Sequence, residues 1–357
     1  MPSGRVVGLL GAATGLLTAG AGAAVAVQRR RIADQRAARD PLAATPYGRL
    51  PSDRTRTVIA DDGIALAVQE VGSLDAPLVV VLVHGYTLAT GSWHYQRLAL
   101  AGPDVRLVFY DQRSHGASQR GSAESAQLDQ LASDLHAVIH ATAGDHPVVL
   151  IGHSMGGMTI LALAQARPEL FGEQVRAVAL LSTTTGALAD VDLGLPRFLA
   201  PLKLLALPAL ARGVRAQPRL AELTRRTGSD LSWWLTRLYS FGDPEVSPAL
   251  VDYVGALIGS TPVDVIGEYF GTLMGQDTVS ALSALRGVPT LIVCGDKDRL
   301  TPLAHSAAMA AQLPDAELLV VQGGGHLAMM EHPDPVNDAL LALLDRASAA
   351  AADGSRR

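Results

Sequence analysis

Ser154 lies in Gly152-His153-Ser154-Met155-Gly156, and farther along the chain come two carboxylates, Asp296 and Asp298, and then His326. A serine hydroxyl is a weak nucleophile until a base takes its proton, and the base in turn needs a carboxylate to hold its tautomer. Serine, acid and histidine in that chain order would supply acyl transfer: attack on a carbonyl, a covalent intermediate, and release by water. For that chemistry three segments far apart in sequence must meet.

The elements that would bring them together show in the hydrophobic patterning. Residues 148–151 form an apolar run suited to a buried strand, and residues 158–166, rich in Leu and Ala, suit a helix. The few residues between them must turn sharply, which Gly152, Gly156 and Gly157 permit. Ser154 would then stand at the apex, with a helix N-terminus behind it and unbonded backbone N–H groups facing the hydroxyl. A G-x-S-x-G in a strand–turn–helix context is the nucleophile-elbow pattern. The alternative is a phosphate-binding or merely structural tight turn.

Residues 57–60 and 64–71 around Asp61-Asp62-Gly63 predict a hairpin, and 78–83, 107–110, 175–181, 290–294 and 318–321 predict further strands. Helical patterns fall at 128–141, 303–313 and 336–347. Continuous apolar strands alternating with amphipathic helices predict a mostly parallel sheet covered on both faces. Sites in such sheets lie beyond the carboxyl ends of the strands. His84-Gly85-Tyr86-Thr87, the loop from Asp111 to Gly116, the Ser154 turn, Asp296 and Asp298, and the Gly-rich stretch before His326 all fall at such ends. The alternation stops over 187–285, which predicts a helical insertion lying over the strand ends. Trp233 and Trp234 within it are candidates either to line a substrate pocket or to pack the insertion itself.

Taken together, GHSMGG, HGYT, GDKD followed by Leu300 and Pro302, and GGGH resemble the α/β-hydrolase fold superfamily over about residues 55 to 350. The resemblance implies a core at 55–186 and 286–350, a helical cap at 187–285 and a tail at 351–357. It implies Asp298 as the acid, with Asp296 a solvated turn residue, and His326 as the base, on a loop whose glycines would let the ring swing toward Ser154. It further implies an oxyanion hole made by the backbone N–H groups of Tyr86 and Met155, with His84 and Gly85 shaping the first of these loops. Among the other histidines, His153 would point away from the reacting centre, His115 would be a structural loop residue, and His332 would lie at the surface. The activity implied is that of a serine hydrolase cleaving carboxylic esters, in the manner of esterases and lipases, with no cofactor and no metal. Serine at the elbow argues against epoxide or haloalkane hydrolysis, whose enzymes use an aspartate there. Cofactor-free haloperoxidase or perhydrolase activity, C–C bond hydrolysis, and amide or thioester cleavage would employ the same residues. A membrane-tethered binding protein without catalysis is the alternative from another class.

Composition sets the outer bounds. The chain has 357 residues, 48% hydrophobic and 18% charged, enough apolar material for a substantial core. A formal net charge of −5 gives no reason to expect nucleic acid as a partner. The one cysteine, Cys294, excludes an internal disulfide. Residues 6–27 carry no charge and are followed by Gln28-Arg29-Arg30-Arg31. As a helix they would extend ~33 Å, about the thickness of a bilayer core. Residues 1–27 thus predict an N-terminal membrane anchor, with the arginines and the catalytic domain on the cytoplasmic side. A cleaved signal peptide ending near Ala24-Val25-Ala26, and hence secretion, is the alternative. Residues 28–54, with Pro41, Pro46 and Pro51, read as a linker. An anchored enzyme would meet hydrophobic esters, a glyceride or another lipid, more readily than polar ones.

Overall fold

The computed structural model describes residues 40–191 and 229–354. The expected anchor at 6–27, the start of the linker and the first part of the insertion lie outside the described residues. Among the described residues, eight strands form one sheet: β1 (Arg54–Ile59), β2 (Ala65–Val71), β3 (Leu78–Val83), β4 (Val105–Tyr110), β5 (Val148–His153), β6 (Val175–Leu181), β7 (Thr290–Gly295) and β8 (Glu317–Val321). The helices, in chain order, are α1 (His94–Ala99), α2 (Leu128–Ala143), α3 (Met155–Ala166), α4 (Ser229–Ser240), α5 (Pro248–Ser260), α6 (Val263–Gly275), α7 (Leu303–Gln312), α8 (Ala328–Glu331) and α9 (Pro333–Gly354).

The strand order is β1-β2-β4-β3-β5-β6-β7-β8. β1 pairs antiparallel with β2, and β2 with β4; the remaining neighbours are parallel. The expected mostly parallel sheet is therefore present, with an antiparallel hairpin at one edge. Its centre follows from composition. β3 reads LVVVLV and every residue is buried. Val79, Val81 and Val83 enter the core on one face, while Leu78, Val80 and Leu82 enter the core on the other. The period-two alternation thus loads both faces with apolar side chains, each worth about 1.5–3 kcal/mol when fully buried. At the edge, β1 instead alternates exposed with partly buried residues along most of its length.

α2, α3 and α7 contribute to the core on one face, and α8 and α9 to the core on the other, where α1 packs against them. The chain leaves β3 for β4 on one side and returns to place β5 on the other. The helices that follow β3 and β5 therefore lie on opposite faces, and their connecting loops part above the strand ends. Such a switch point opens a crevice there.

α4, α5 and α6 belong to the insertion. Its described neck closes where Gly186 bridges Asp277 and the Thr278 N–H donates to Thr185 O at 2.8 Å. The short 3₁₀ helix Val279–Leu285 already packs Ala281, Leu282 and Leu285 into the same core as α3. The chain thus rejoins the core at 279 rather than at 286. At the C-terminus α9 runs on to Gly354, so the expected tail begins as helix.

The described part of the linker departs most from expectation. Asp40 accepts hydrogen bonds from Ser247 Oγ and the Ala249 N–H, both at 2.8 Å, at the N-terminus of α5. Tyr47 stacks on Tyr253 of α5 with centroids 5.0 Å apart. The prolines keep this segment out of regular structure, yet its polar and aromatic side chains dock it onto the cap. No single helix among the described residues is long and apolar enough to cross a membrane; α5 and α6 are apolar but meet at 90°.

Candidate active site

The turn between β5 and α3 is as tight as its glycines allow. Ser154 sits at φ 52° and ψ −118°, a backbone conformation that an L-residue holds only at a cost of about 1–3 kcal/mol. Its N–H donates to Leu181 O at 2.9 Å, and its carbonyl accepts from Thr183 Oγ1 at 2.7 Å. A Cβ on Gly156 would stand 2.0 Å from the carbonyl oxygen of Val83, so only glycine lets α3 approach the end of β3 this closely. These contacts hold Ser154 just beyond the carboxyl end of β5, partly exposed, with Met155 buried behind it as the first residue of α3. The first-turn N–H groups of a helix have no acceptor within it, so the Met155 N–H is directed out of the helix end.

Asp298 follows β7 and His326 follows β8, and the structure brings them together. The His326 Nδ1–H donates to Asp298 Oδ2 at 2.9 Å, with Oδ1 at 3.1 Å. Asp298 Oδ1 also accepts from the Leu300 and Thr301 N–H groups at 2.9 Å each, and Oδ2 accepts from Thr301 Oγ1 at 2.8 Å. Burial alone would push this carboxyl up; the His326 ring beside it and the Thr301 donors outweigh burial and hold it below the usual carboxylate range. An ionised Asp298 favours the tautomer with the proton on Nδ1, which places the other lone pair on Nε2.

His153 links this pair to the elbow. Its Nε2–H donates to the backbone carbonyl of His326 at 2.9 Å, and the two rings lie 4.9 Å apart. The residue before the candidate nucleophile therefore braces the backbone of the candidate base. Burial, reinforced by the neighbouring His326 ring, lowers the His153 pKa to about 3, so the brace stays neutral.

The loop after β3 completes the crevice. A Cβ on Gly85 would stand 3.2 Å from Ser154 Cβ, which sets Tyr86 one residue from the elbow. The Gln112 N–H donates to His84 Nε2 at 2.9 Å, so the His84 proton lies on Nδ1, 2.8 Å from Gly85 O. Gln112 Nε2 donates in return to His84 O at 2.7 Å, while its Oε1 accepts from Thr159 Oγ1 on α3 at 2.9 Å. His84, Gln112 and Thr159 thus join the Tyr86 loop to the helix that begins at Met155. Burial lowers His84 to about 4 and His115 to about 3, and both remain neutral struts. The Tyr86 hydroxyl donates to Ile266 O on α6 and its ring packs near His115 and Tyr269, so the cap rests on this loop.

Trp233 is buried with Phe241, Leu250, Val254 and Leu327, and Trp234 lies half-buried against the same cluster. Both tryptophans pack the cap onto the core near the histidine loop. Asp296 is more than a solvated turn residue: its Oδ1 accepts from the Gly323 N–H at 2.7 Å, and the neighbouring Lys297 holds its carboxyl below the usual range. His332 is half-buried rather than a surface residue. Of the glycines before His326, Gly325 serves close packing, since a Cβ there would stand 2.4 Å from the carbonyl carbon of Phe241, and Gly323 takes a positive φ of 76°. Among the described residues, Asp61, Asp62 and Asp134 gather closely enough to suggest a metal site. Arg113 already supplies the cation there, at 2.7 Å from Asp62 and 2.6 Å from Asp134.

Comparison with known proteins points the same way. A monoacylglycerol lipase of Mycolicibacterium smegmatis is 29% identical to this chain over 255 residues, 70% of this chain and 80% of that one. The solved structure of a thermophilic esterase from Thermogutta terrifontis aligns with a TM-score of 0.62 at 25% identity, covering 82% of this chain and 99% of that one. A bromoperoxidase from Bacillus anthracis aligns with a TM-score of 0.64 at 22% identity over 82% and 100% of the two chains, a likeness of fold. The family model for the alpha/beta hydrolase fold matches residues 79–333. With the sheet order, the elbow and the acid–histidine pair at the same strand ends, the chain belongs to the α/β-hydrolase fold family.

Proposed function

We propose that this hydrolase cleaves carboxylic esters through an acyl-enzyme on Ser154. Ser154 Oγ attacks the ester carbonyl as His326 Nε2 takes its proton. The oxyanion that forms is met by the backbone N–H groups of Met155 and Tyr86, and each such donor contributes about 2.7–4 kcal/mol to the transition state. His326 passes the proton to the leaving alcohol, then takes one from water, which attacks the acyl carbonyl and restores the serine. Asp298 stays ionised throughout, stabilising the imidazolium while it exists. The observation that carries this reading is the buried Asp298–His326 pair, braced by His153, the residue next to Ser154. The esterase and monoacylglycerol lipase among the similar proteins support an ester as the substrate.

We further propose that residues 6–27 anchor the chain and direct it to hydrophobic esters. This rests on the uncharged run and the arginines that follow it. Alkaline carbonate extraction of membranes carrying the full chain tests the anchor; release into the supernatant would end it.

A series of p-nitrophenyl esters from acetate to palmitate tests the chemistry, alongside a fluorophosphonate probe. Hydrolysis with a preference for the longer acyl chains, and labelling at Ser154 that Ser154→Ala abolishes, are the expected results. No turnover of any ester, with peracid formation or C–C cleavage in its place, would overturn the ester assignment.

A further inference from the structure

Glu331, the last residue of α8, is not used in the mechanism above, yet both of its carboxylate oxygens are engaged with backbone donors. Oε1 accepts from the Asp243 N–H at 2.7 Å and the Gly242 N–H at 2.9 Å. Oε2 accepts from the Gly325 N–H at 2.7 Å and again from Gly242 at 3.1 Å. Gly242 and Asp243 form the turn that ends α4 of the cap, and Gly325 immediately precedes His326. On the far side of His326, the Leu327 N–H donates to Ser240 O at 2.8 Å, in the same cap turn. Both chain neighbours of the histidine are therefore tied to residues 240–243.

The seam is also closed sterically. A Cβ on Gly242 would stand 2.1 Å from Gly323 O, and one on Gly325 2.4 Å from the Phe241 carbonyl carbon. Glutamate suits this position because an ionised carboxylate accepts several N–H bonds at once, each stronger than a neutral one. Capping the cap turn alone would need one oxygen; here the second oxygen reaches across to the histidine loop.

We propose that Glu331 is a positioning residue for His326: it locks the histidine loop to the Ser240–Asp243 turn, so that the seating of the cap sets the approach of Nε2 to Ser154. The proposal rests on His326 being the catalytic base. A displacement of about 1 Å at such a centre costs about 10²-fold in rate without weakening substrate binding to the same degree.

The full chain and its Glu331→Ala, Glu331→Gln and Gly325→Ala variants test this, with folding followed by near-ultraviolet circular dichroism. For p-nitrophenyl acetate, Glu331→Ala lowers kcat about 10²-fold with KM within about twofold. Glu331→Gln keeps one acceptor oxygen and falls between this variant and wild type. Gly325→Ala pushes the loop off the cap without touching the carboxylate and shows the same split between kcat and KM. The low-field proton resonance of the His326–Asp298 hydrogen bond, present in wild type, is lost or shifted in all three variants. That resonance does not depend on turnover. A wild-type chain that cleaves no ester and takes no fluorophosphonate would therefore end the catalytic reading, while the resonance still judges the positioning. Should Glu331→Ala not fold, Glu331→Gln and Gly325→Ala decide. Folded variants with kcat within threefold of wild type and an unshifted resonance would overturn the proposal.

Discussion

At the elbow, Ser154 is held by the backbone that carries it. Its φ of 52°, the 2.0 Å that a Cβ at Gly156 would leave to Val83 O, and the Leu181 and Thr183 hydrogen bonds all belong to the turn and the adjacent strand ends. At the histidine loop, by contrast, each residue is held from elsewhere. Asp296 takes Gly323, Glu331 takes Gly325, Asp298 and His153 take His326, and Ser240 of the cap takes Leu327. Ser154 is thus fixed by steric necessity over a short stretch of chain, and His326 by hydrogen bonds gathered from four segments. The first arrangement breaks when volume is added, and the second breaks also when a polar partner is removed.

The largest break should come on the hydrogen-bonded side. Asp298→Asn keeps the shape but removes the charge that holds the Nδ1 proton, and its amide can present an N–H to the ring where an acceptor is needed. kcat for p-nitrophenyl acetate should fall about 10⁴-fold with the fold retained. A loss of less than tenfold would show that Asp298 is not the orienting acid. Next in size is a steric pair. Gly156→Ala places a methyl against rigid backbone and should cost about 3 kcal/mol of stability in urea unfolding. Gly324→Ala meets only the side chains of Val321 and Ala328, at 3.1 and 3.3 Å, and should cost about 1 kcal/mol. Equal costs would mean that the two regions do not differ in stiffness as described.

The same contrast explains what could be read from sequence. β3 and β5 are continuous apolar runs, and the Ser154 turn carries its glycines within a few residues, so strand, turn and helix are all local signals. Asp298 and His326 are legible as candidates because each follows an apolar strand in a recognisable motif. Their supports are not legible. Glu331 lies among apolar residues before a His-Pro, and its partners Gly242 and Asp243 are almost 90 positions away. Nothing local marks a carboxylate whose role is to join two loops. The His153 contact is hidden for a related reason: a tight turn predicts which way the serine faces, but not which carbonyl a distant loop brings to its neighbour. The docking of Asp40 and Tyr47 onto α5 was equally hidden, because prolines report the absence of regular structure and not the absence of contacts.

Acid should first strike the buried histidines around the strand ends. His84, His115 and His153 have folded pKa values lowered to about 4, about 3 and about 3, in each case chiefly by burial. An unfolded histidine titrates near 6.5, so between there and about 4 the unfolded chain holds more protons than the folded one. Stability therefore falls as pH falls through that window, by on the order of 2 kcal/mol for each ring at pH 5. Asp298, lowered from the usual carboxylate value, adds a loss in the same direction at still lower pH. Urea midpoints at pH 7 and pH 5 measure this, and a flat profile would mean that the three rings are not buried neutral struts.

The smallest expected effect isolates the strain itself. Ser154→Ala and Ser154→Gly both remove the hydroxyl, and both should abolish ester turnover. They differ in the Cβ, which at φ 52° and ψ −118° is what makes the conformation costly. Glycine relieves about 1–3 kcal/mol of that cost but returns about 0.4–1 kcal/mol through the greater freedom of its unfolded chain. Ser154→Gly should therefore be more stable than Ser154→Ala by about 1 kcal/mol in paired denaturant titrations. If the alanine variant is the equal of the glycine variant or better, the elbow is relaxed, and the serine owes its position to packing around it and not to a backbone held away from its preferred conformation.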